Sequence, residues 1–428
     1  MRKLTKYFTA IAVYTFAVCI LYQRFLPHTL SVNGKAEYSD SANNPDSDDY
    51  YTLAANVAAG NGFSADGKTP SVLRPPMFPL MLGVWFKLSE TSYDSAYYYQ
   101  AFVYSLTCAA AFLLFMEIFG ALRFSLLLTA WLAILPPHLA RITHSLLEPT
   151  MALFTTLSIL LSVRALRSNK LATAALAGAS WGVLTLSKFP SWIGPVLLAA
   201  GSFIPGTVRL SRKQAGALML MFAVTLTPWA IRNYRHFHKL ILVNAQGACM
   251  LELFTANTYK LSPHSEDPKF GEARTLIKEM NAQGLSDSQK FDKLLPFVWK
   301  DVPYFLFERP LVATLYFTFP DFYGNWYTSP LSPSQRYWKS VAYAWWLALV
   351  LPLYLVLFYR CFQLVRGKLR APLGFLVVFY LVYWAQYAMI WCDPRYSVPV
   401  YVILLCLLPL NLNVKKFDME PATAVNIR

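Results

Sequence analysis

Ten apolar stretches, each near the length a helix needs to cross a bilayer, divide this 428-residue chain. They run from 7–27, 95–117, 122–140, 146–166, 171–187, 189–208, 213–231, 341–364, 371–391 and 396–412. A helix covers the hydrocarbon core with about 20 residues. Backbone facing lipid has to satisfy its own hydrogen bonds, so such a chain has helical bundles open to it and little else. The composition agrees: 56% of residues are hydrophobic and 14% charged, against about a quarter charged in soluble domains. The expected fold class is an all-α polytopic membrane protein of about ten spans.

The net charge of +15 would also suit a nucleic-acid partner. Much of the excess sits in short loops between apolar runs, where topology accounts for it, so no nucleic acid is expected. Arg2, Lys3 and Lys6 precede the first run; Arg164, Arg167 and Lys170 follow the fourth; Arg209, Arg212 and Lys213 follow the sixth. Arg360, Arg366, Lys368 and Arg370 follow the eighth, and Lys415 and Lys416 the tenth. With ten spans all of these fall on one side, which the positive-inside rule makes cytoplasmic. The start, MRKLTKYF and an apolar run, lacks a small-residue cleavage site and reads as an uncleaved first span. The six cysteines are spread out, with no CxxC and no disulfide framework.

The expected organisation is therefore a first span (1–27), an outward loop (28–94), spans two to seven (95–231), a second outward loop (232–340), spans eight to ten (341–412) and a cytoplasmic tail (413–428). The second loop reads as polar helices over 272–284 and 286–300. An aromatic stretch from Val302 to Tyr327 follows, expected to lie in the membrane interface. A buried extra span there is the alternative, and it would spoil the charge pattern.

The first loop holds the most unusual stretch, PDSDDYYTLAANVAAGNGFSADGKTPSVLRPPMFP, from Pro45 to Pro79. Asp46 and Ser47 are N-cap residues, Asp48 and Asp49 suit the positive end of a helix dipole, and Gly60-Asn61-Gly62 stops the helix. Tyr50, Leu53, Ala54 and Val57 give it one apolar face.

Polar residues also gather at the outward ends of the other runs. They are His138, Arg141, His144 and Glu148 around the third and fourth; Lys188 after the fifth; Arg232 and Asn233 after the seventh; and Asp393 and Arg395 between the ninth and tenth. Ionisable groups near hydrocarbon are costly and commonly face a cavity. Each has a plainer reading: Asp46 an N-cap, Glu148 a cap or an Arg141 partner, and Lys188, Arg232 and Arg395 snorkelling anchors. His138 and His144 make no metal motif, no metal ligand is assigned, and no Walker loop, GxSxG or dinucleotide fingerprint occurs. No cofactor is called for, and a divalent cation is left open. Taken together, carboxylates and cations on one side suit a reaction on a substrate carrying a membrane-anchored phosphate. A carboxylate acts as general base on an acceptor, and cations stabilise the departing phosphate.

In this pattern the chain resembles the GT-C superfamily of membrane glycosyltransferases, and within it the bacterial family related to protein O-mannosyltransferases and the aminoarabinose transferase of lipid A. The resemblance is carried by DSDDYYTLAANVAAGNGF, LRPPMFPLMLGVWFKL, HSLLEPTMALFTTL, AGASWGVLTLSKFP, TPWAIRNYRHF and DPRYSVPVY, in that order over about residues 7–412. It implies Asp46 as the catalytic first-loop aspartate, with Tyr50 and Ala54 in register and Asp48 and Asp49 as competing choices. Glu148 falls on a second acidic position. Lys188 and Arg395 fall where the family places cations near the lipid phosphate, with Arg74 and Arg232 less closely matched; Tyr50, Asp49 and His144 complete the substrate-binding set. Ser47 departs from the family's acidic pair, and the large outer domain of many relatives has no counterpart after 412.

The implied function is inverting transfer of a monosaccharide from a polyprenyl-phosphate donor to a glycan, lipid or protein acceptor. The implied location is the cytoplasmic membrane, among membrane lipids, with the site facing the periplasm or exterior. A lipid or glycolipid transporter or flippase is the alternative. It would place charges at mid-span and repeat its architecture, and neither is seen in the sequence. A scaffold gives no reason for acid and base to gather on one side.

Overall fold

A computed structural model describes residues 2–30, 45–142, 145–168, 170–203, 210–245, 268–285, 287–318, 333–369, 372–389 and 392–408. Among them are 16 α-helices and no strand. The chain divides into two compact units. One comprises residues 1–244, 322–380 and 398–428, the other 245–321 and 381–397.

The first unit begins with α1 (Arg2–Leu30), α2 (Pro45–Ala58), α3 (Met77–Leu88) and α4 (Tyr93–Phe119). It continues with α5 (Leu122–Ala133), α6 (Pro136–Arg141), α7 (Glu148–Arg167), α8 (Leu171–Ser187), α9 (Ile193–Gly201) and α10 (Arg212–Phe237). Among the described residues, five helices are long and apolar enough to cross a membrane: Leu4–Gln23, Tyr93–Phe119, Glu148–Arg167, Arg212–Phe237 and Ala344–Val365. Other apolar runs form shorter helices. The run at 122–140, expected as one span, breaks at Leu135, which is extended (φ −64°, ψ 120°). Pro136 follows it, and a residue before proline is pushed out of the helical region. The run at 189–208 opens with a 3-10 turn, Phe189–Trp192, before α9. The run at 396–412 is a 3-10 segment, Pro394–Val400, then α16 (Tyr401–Cys406). Between lie α14 (Pro333–Val365) and α15 (Leu373–Met389).

Side-chain contacts fix the helix directions. Gln214 near the start of α10 donates to the carbonyls of Ala165 and Ser168 at the end of α7, at 3.1 and 2.6 Å. Glu117 near the end of α4 meets Arg164 at 3.3 Å and Arg167 at 3.4 Å. One end of the unit thus collects the last turns of α4 and α7 and the first of α8 and α10, and with them Arg164, Arg167, Lys170, Arg212 and Lys213. The opposite end carries the starts of α4 and α7 and the ends of α8 and α10. Two glycines let α8 and α10 approach closely. A Cβ on Gly178 would lie 2.0 Å from the Leu218 carbonyl oxygen, and one on Gly182 2.6 Å from Thr225. In lipid, where apolar side chains gain little by leaving their surroundings, small residues at a crossing are what hold helices together.

In the second unit, α11 (Pro268–Ala282) and α12 (Asp287–Lys300) form the expected polar helices. They bury Ala273, Met280 and Leu294, and Lys300 reaches Glu272 at 3.5 Å. A π-helical turn, Tyr304–Glu308, leads into α13 (Arg309–Thr318). Phe317 packs against Tyr383 and Tyr387, with ring centroids 6.4 and 6.3 Å apart. The aromatic stretch of the sequence is therefore helical as far as residue 318, and 319–332 lie outside the described residues.

Candidate functional site

The first loop begins with α2, whose Pro45 suits the first helical position because its missing N–H would have no partner there. Tyr50, Leu53 and Ala54 are buried, as their spacing predicts, and Tyr50 packs on Phe78 and Tyr51 on Phe86 of α3. The helices meet closely at Gly83, where a Cβ would lie 2.7 Å from Val57 and 2.9 Å from the Ala54 carbonyl oxygen. Gly60 and Gly62, both at positive φ (84° and 76°), end α2 as expected.

Asp46 stands in the first turn of α2, and its side chain lies outside what is described, as do those of Ser47 and Asp48. Asp49 is engaged by Arg74, whose Nη2 and Nε lie 2.6 and 3.0 Å from its Oδ2. The same guanidinium sits 5.4 Å from the Tyr50 ring centroid. Tyr50 packs edge-on against Phe78 at 5.3 Å. Three of the sequence candidates, Asp49, Tyr50 and Arg74, therefore form one cluster.

Residues 59–76 are tied by their own polar groups. Asp66 accepts from the backbone N–H of Lys68 (2.9 Å) and Thr69 (2.7 Å) and from the hydroxyls of Ser64 (2.8 Å) and Thr69 (2.9 Å). These bonds hold its carboxyl well below the usual carboxylate range, the two backbone N–H groups most of all. Asn56 donates to the Ser64 carbonyl at 2.9 Å, and the Ser71 N–H to the Phe63 carbonyl at 2.9 Å.

Arg232, near the end of α10, grips the base of this loop. Its Nη1 donates to the Ser71 carbonyl (2.7 Å) and to Asn233 Oδ1 (2.9 Å), and its Nη2 to the Phe63 carbonyl (3.1 Å). Trp229 lies 4.7 Å below the guanidinium and 4.9 Å from the Phe63 ring.

Glu148 opens α7 and is buried, and Arg141 closes α6, also buried. The segment between them includes His144, which lies outside the described residues. Two buried glutamines hold its ends. Gln23 of α1 donates to the Ile142 carbonyl (2.8 Å) and to Tyr97 (3.2 Å), and Gln100 of α4 donates to the Leu146 carbonyl (2.6 Å). His138 is buried and stacked on Tyr104 at 4.8 Å. Lys188 ends α8 in extended conformation, immediately before the 3-10 turn. Glu148, Lys188 and Arg232 thus stand at the end of the first unit opposite its Arg and Lys clusters, as does the first loop through its bonds to Arg232. In the second unit Arg395 is buried, with Nε 3.4 Å from Asp393 Oδ2 and its own N–H bonded to Oδ1 at 3.0 Å. Among the described residues no three His, Cys, Asp or Glu side chains form a group that could hold a metal.

Sequence reasoning missed Gln23, Gln100, Asn56 and Asp66. The glutamines carried a signal, since each is a polar residue inside an apolar run.

No protein-family model matches the chain, and no curated protein matches it by sequence. Among solved structures it is similar to the oligosaccharyltransferase AglB of Archaeoglobus fulgidus, determined with an inhibitory peptide and a dolichol-phosphate. The TM-score is 0.51 at 14% identity, over 94% of this chain and 50% of that one. The fold is similar to that of GT-C glycosyltransferases. A second GT-C structure, ArnT of Cupriavidus metallidurans bound to undecaprenyl phosphate, aligns with a TM-score of 0.41 and 12% identity, over 93% of this chain and 76% of that one. The chain spans about half the length of the archaeal protein. The GT-C-like fold is the one that the six sequence motifs imply.

Proposed function

We propose that this chain is an inverting glycosyltransferase that moves a monosaccharide from a polyprenyl-phosphate donor to an acceptor. The reaction would take place on the outer face of the cytoplasmic membrane, with ten crossings and both long loops outside. The observation that carries the reading is the gathering of Asp49, Arg74, Glu148 and Lys188 at one end of the first unit, opposite its Arg and Lys clusters, within a GT-C-like fold.

In this reading Asp46 takes the proton from the acceptor hydroxyl. The acceptor oxygen attacks the anomeric carbon, the bond from that carbon to the phosphate oxygen breaks, and polyprenyl phosphate departs. Lys188 offsets the charge that develops on the phosphate, and Arg395 has the same role by motif resemblance. Glu148 orients the acceptor. The archaeal oligosaccharyltransferase is in complex with an inhibitory peptide and a dolichol-phosphate, which makes a protein acceptor one of the three classes to be tried.

The test is mass spectrometry of the purified protein for bound polyprenyl-phosphate sugar, with Asp46→Asn and Lys188→Ala alongside. The expected result is donor retained by Asp46→Asn without turnover and lost from Lys188→Ala. Full transfer by Asp46→Asn, or no polyprenyl-phosphate binding by the wild type, overturns the reading.

A further inference from the structure

The last turns of α10 bind backbone on two sides at once. Arg232 holds both strands at the base of the first loop, through the carbonyls of Ser71 and Phe63. Those two residues already face each other, since the Ser71 N–H donates to the Phe63 carbonyl. Asn233 orients the guanidinium with Oδ1 and, with Nδ2, donates to the Ile241 carbonyl at 2.9 Å. Trp229 donates from its indole N–H to the Val243 carbonyl at 2.6 Å, while its ring packs between Arg232 and Phe63. Asn244 then reaches the Leu73 carbonyl at 3.4 Å. Ile241 to Asn244 is the stretch through which the chain enters its second long loop. Asn233 is fully buried, and Trp229 and Phe63 nearly so.

A guanidinium has five N–H donors in a planar fork. Here Nη1 and Nη2 are aimed at protein oxygens, and the plane is covered by an aromatic ring. An arginine so held is a clamp more than a ligand for a mobile phosphate. We propose that Trp229, Arg232 and Asn233 form a coupling node that locks the base of the first loop to the entry of the second. Arg232 is then a positioning residue that acts on Arg74 and the α2–α3 cluster through residues 63–73. Its catalytic consequence rests on the transferase reading; its structural content does not.

Amide exchange on the full-length protein in detergent tests it, together with titration of undecaprenyl phosphate. Arg232→Lys keeps the charge and loses the two-carbonyl fork. Its expected effect is exchange roughly tenfold faster at the Ser71 amide and its neighbours, reflecting local opening, with undecaprenyl phosphate bound as by the wild type. Asn233→Leu touches no first-loop residue, yet is expected to open 63–71 as well as 241–244. Trp229→Phe keeps the ring, loses one N–H and gives the same pattern more weakly, which covers the case of a variant that does not fold. Unchanged exchange in 63–71 for Arg232→Lys overturns the clamp, all the more if phosphate binding falls. Opening confined to 241–244 in Asn233→Leu and Trp229→Phe overturns the coupling. Absence of undecaprenyl phosphate binding by the wild type sinks the transferase reading and leaves the exchange result standing.

Discussion

Arg74 and Asp49, 25 residues apart in sequence, meet through two nitrogens and one carboxylate oxygen, at 2.6 and 3.0 Å. The pair joins the first turns of α2 to the turn that leads into α3, three residues along the chain from the proposed base Asp46. The Asp49 side chain is 55% exposed and that of Arg74 19%, so solvent screens the pair and its contribution to stability is about 0–1 kcal/mol. Asp49→Asn is therefore expected to leave the thermal midpoint almost unchanged. If the pair orients Arg74 in the site, turnover falls while stability does not. Equal loss of both in Asp49→Asn would show that the pair only holds the loop together.

Gly178 of α8 and Gly216 of α10 differ in what a methyl group would meet. Gly178→Ala drives a Cβ to within 2.0 Å of the Leu218 carbonyl oxygen, which is backbone and cannot step aside. Its expected cost is on the order of 1–3 kcal/mol, the range for overpacking. Gly216→Ala, on α10 with nothing within 4 Å, is expected to be neutral or slightly stabilising. Midpoints of thermal inactivation in detergent compare the two, and a Gly178→Ala midpoint equal to the wild type's would refute the close crossing.

Asp66 sets a pH dependence for the first loop. Its folded pKa lies below its unfolded one. The stabilising contribution is therefore complete above the ordinary carboxylate value of about 4, and is lost as the pH falls through the depressed folded value. Between about pH 5 and 8, protection of the Lys68 and Thr69 amides, corrected for intrinsic exchange, should be flat. Asp66→Ala should remove that protection at every pH. A wild-type loop that opened already at neutral pH would contradict the four-bond arrangement.

Gln23→Leu and Gln100→Leu each remove a buried donor and leave carbonyls facing a methyl group. Gln23 serves the Tyr97 and Ile142 carbonyls, and Gln100 serves that of Leu146. Each loss is expected to cost about 1–3 kcal/mol. It should also lower turnover, because the segment between Arg141 and Glu148 loses its anchors. Thermal midpoints and single-turnover rates measured together check both halves. A drop in stability with an unchanged rate would assign the glutamines to packing alone.

Helices that announce themselves by spacing were legible in the sequence. Tyr50, Leu53 and Ala54 point inward as their periodicity requires, Gly60 and Gly62 stop α2, and α11 and α12 appear where polar helical sequence was read. The break at Leu135 was written in Pro136-Pro137, but the apolar run around it reads as continuous, because hydropathy does not register a missing backbone donor. The site was less legible for a different reason. Arg232 binds carbonyl oxygens, which every residue carries and no sequence pattern marks. Asp49 and Arg74 are each visible as charges, but only the packing of α2 on α3 makes them partners.

With two backbones in contact at Gly178, α8 and α10 behave as the fixed jaws of a caliper. Lys188 ends one jaw and Arg232 stands near the tip of the other. The span between those two backbone positions is then set chiefly by that crossing. In the transferase reading proposed above, any yielding needed to admit a bulkier headgroup at Lys188 would have to come from neighbouring elements.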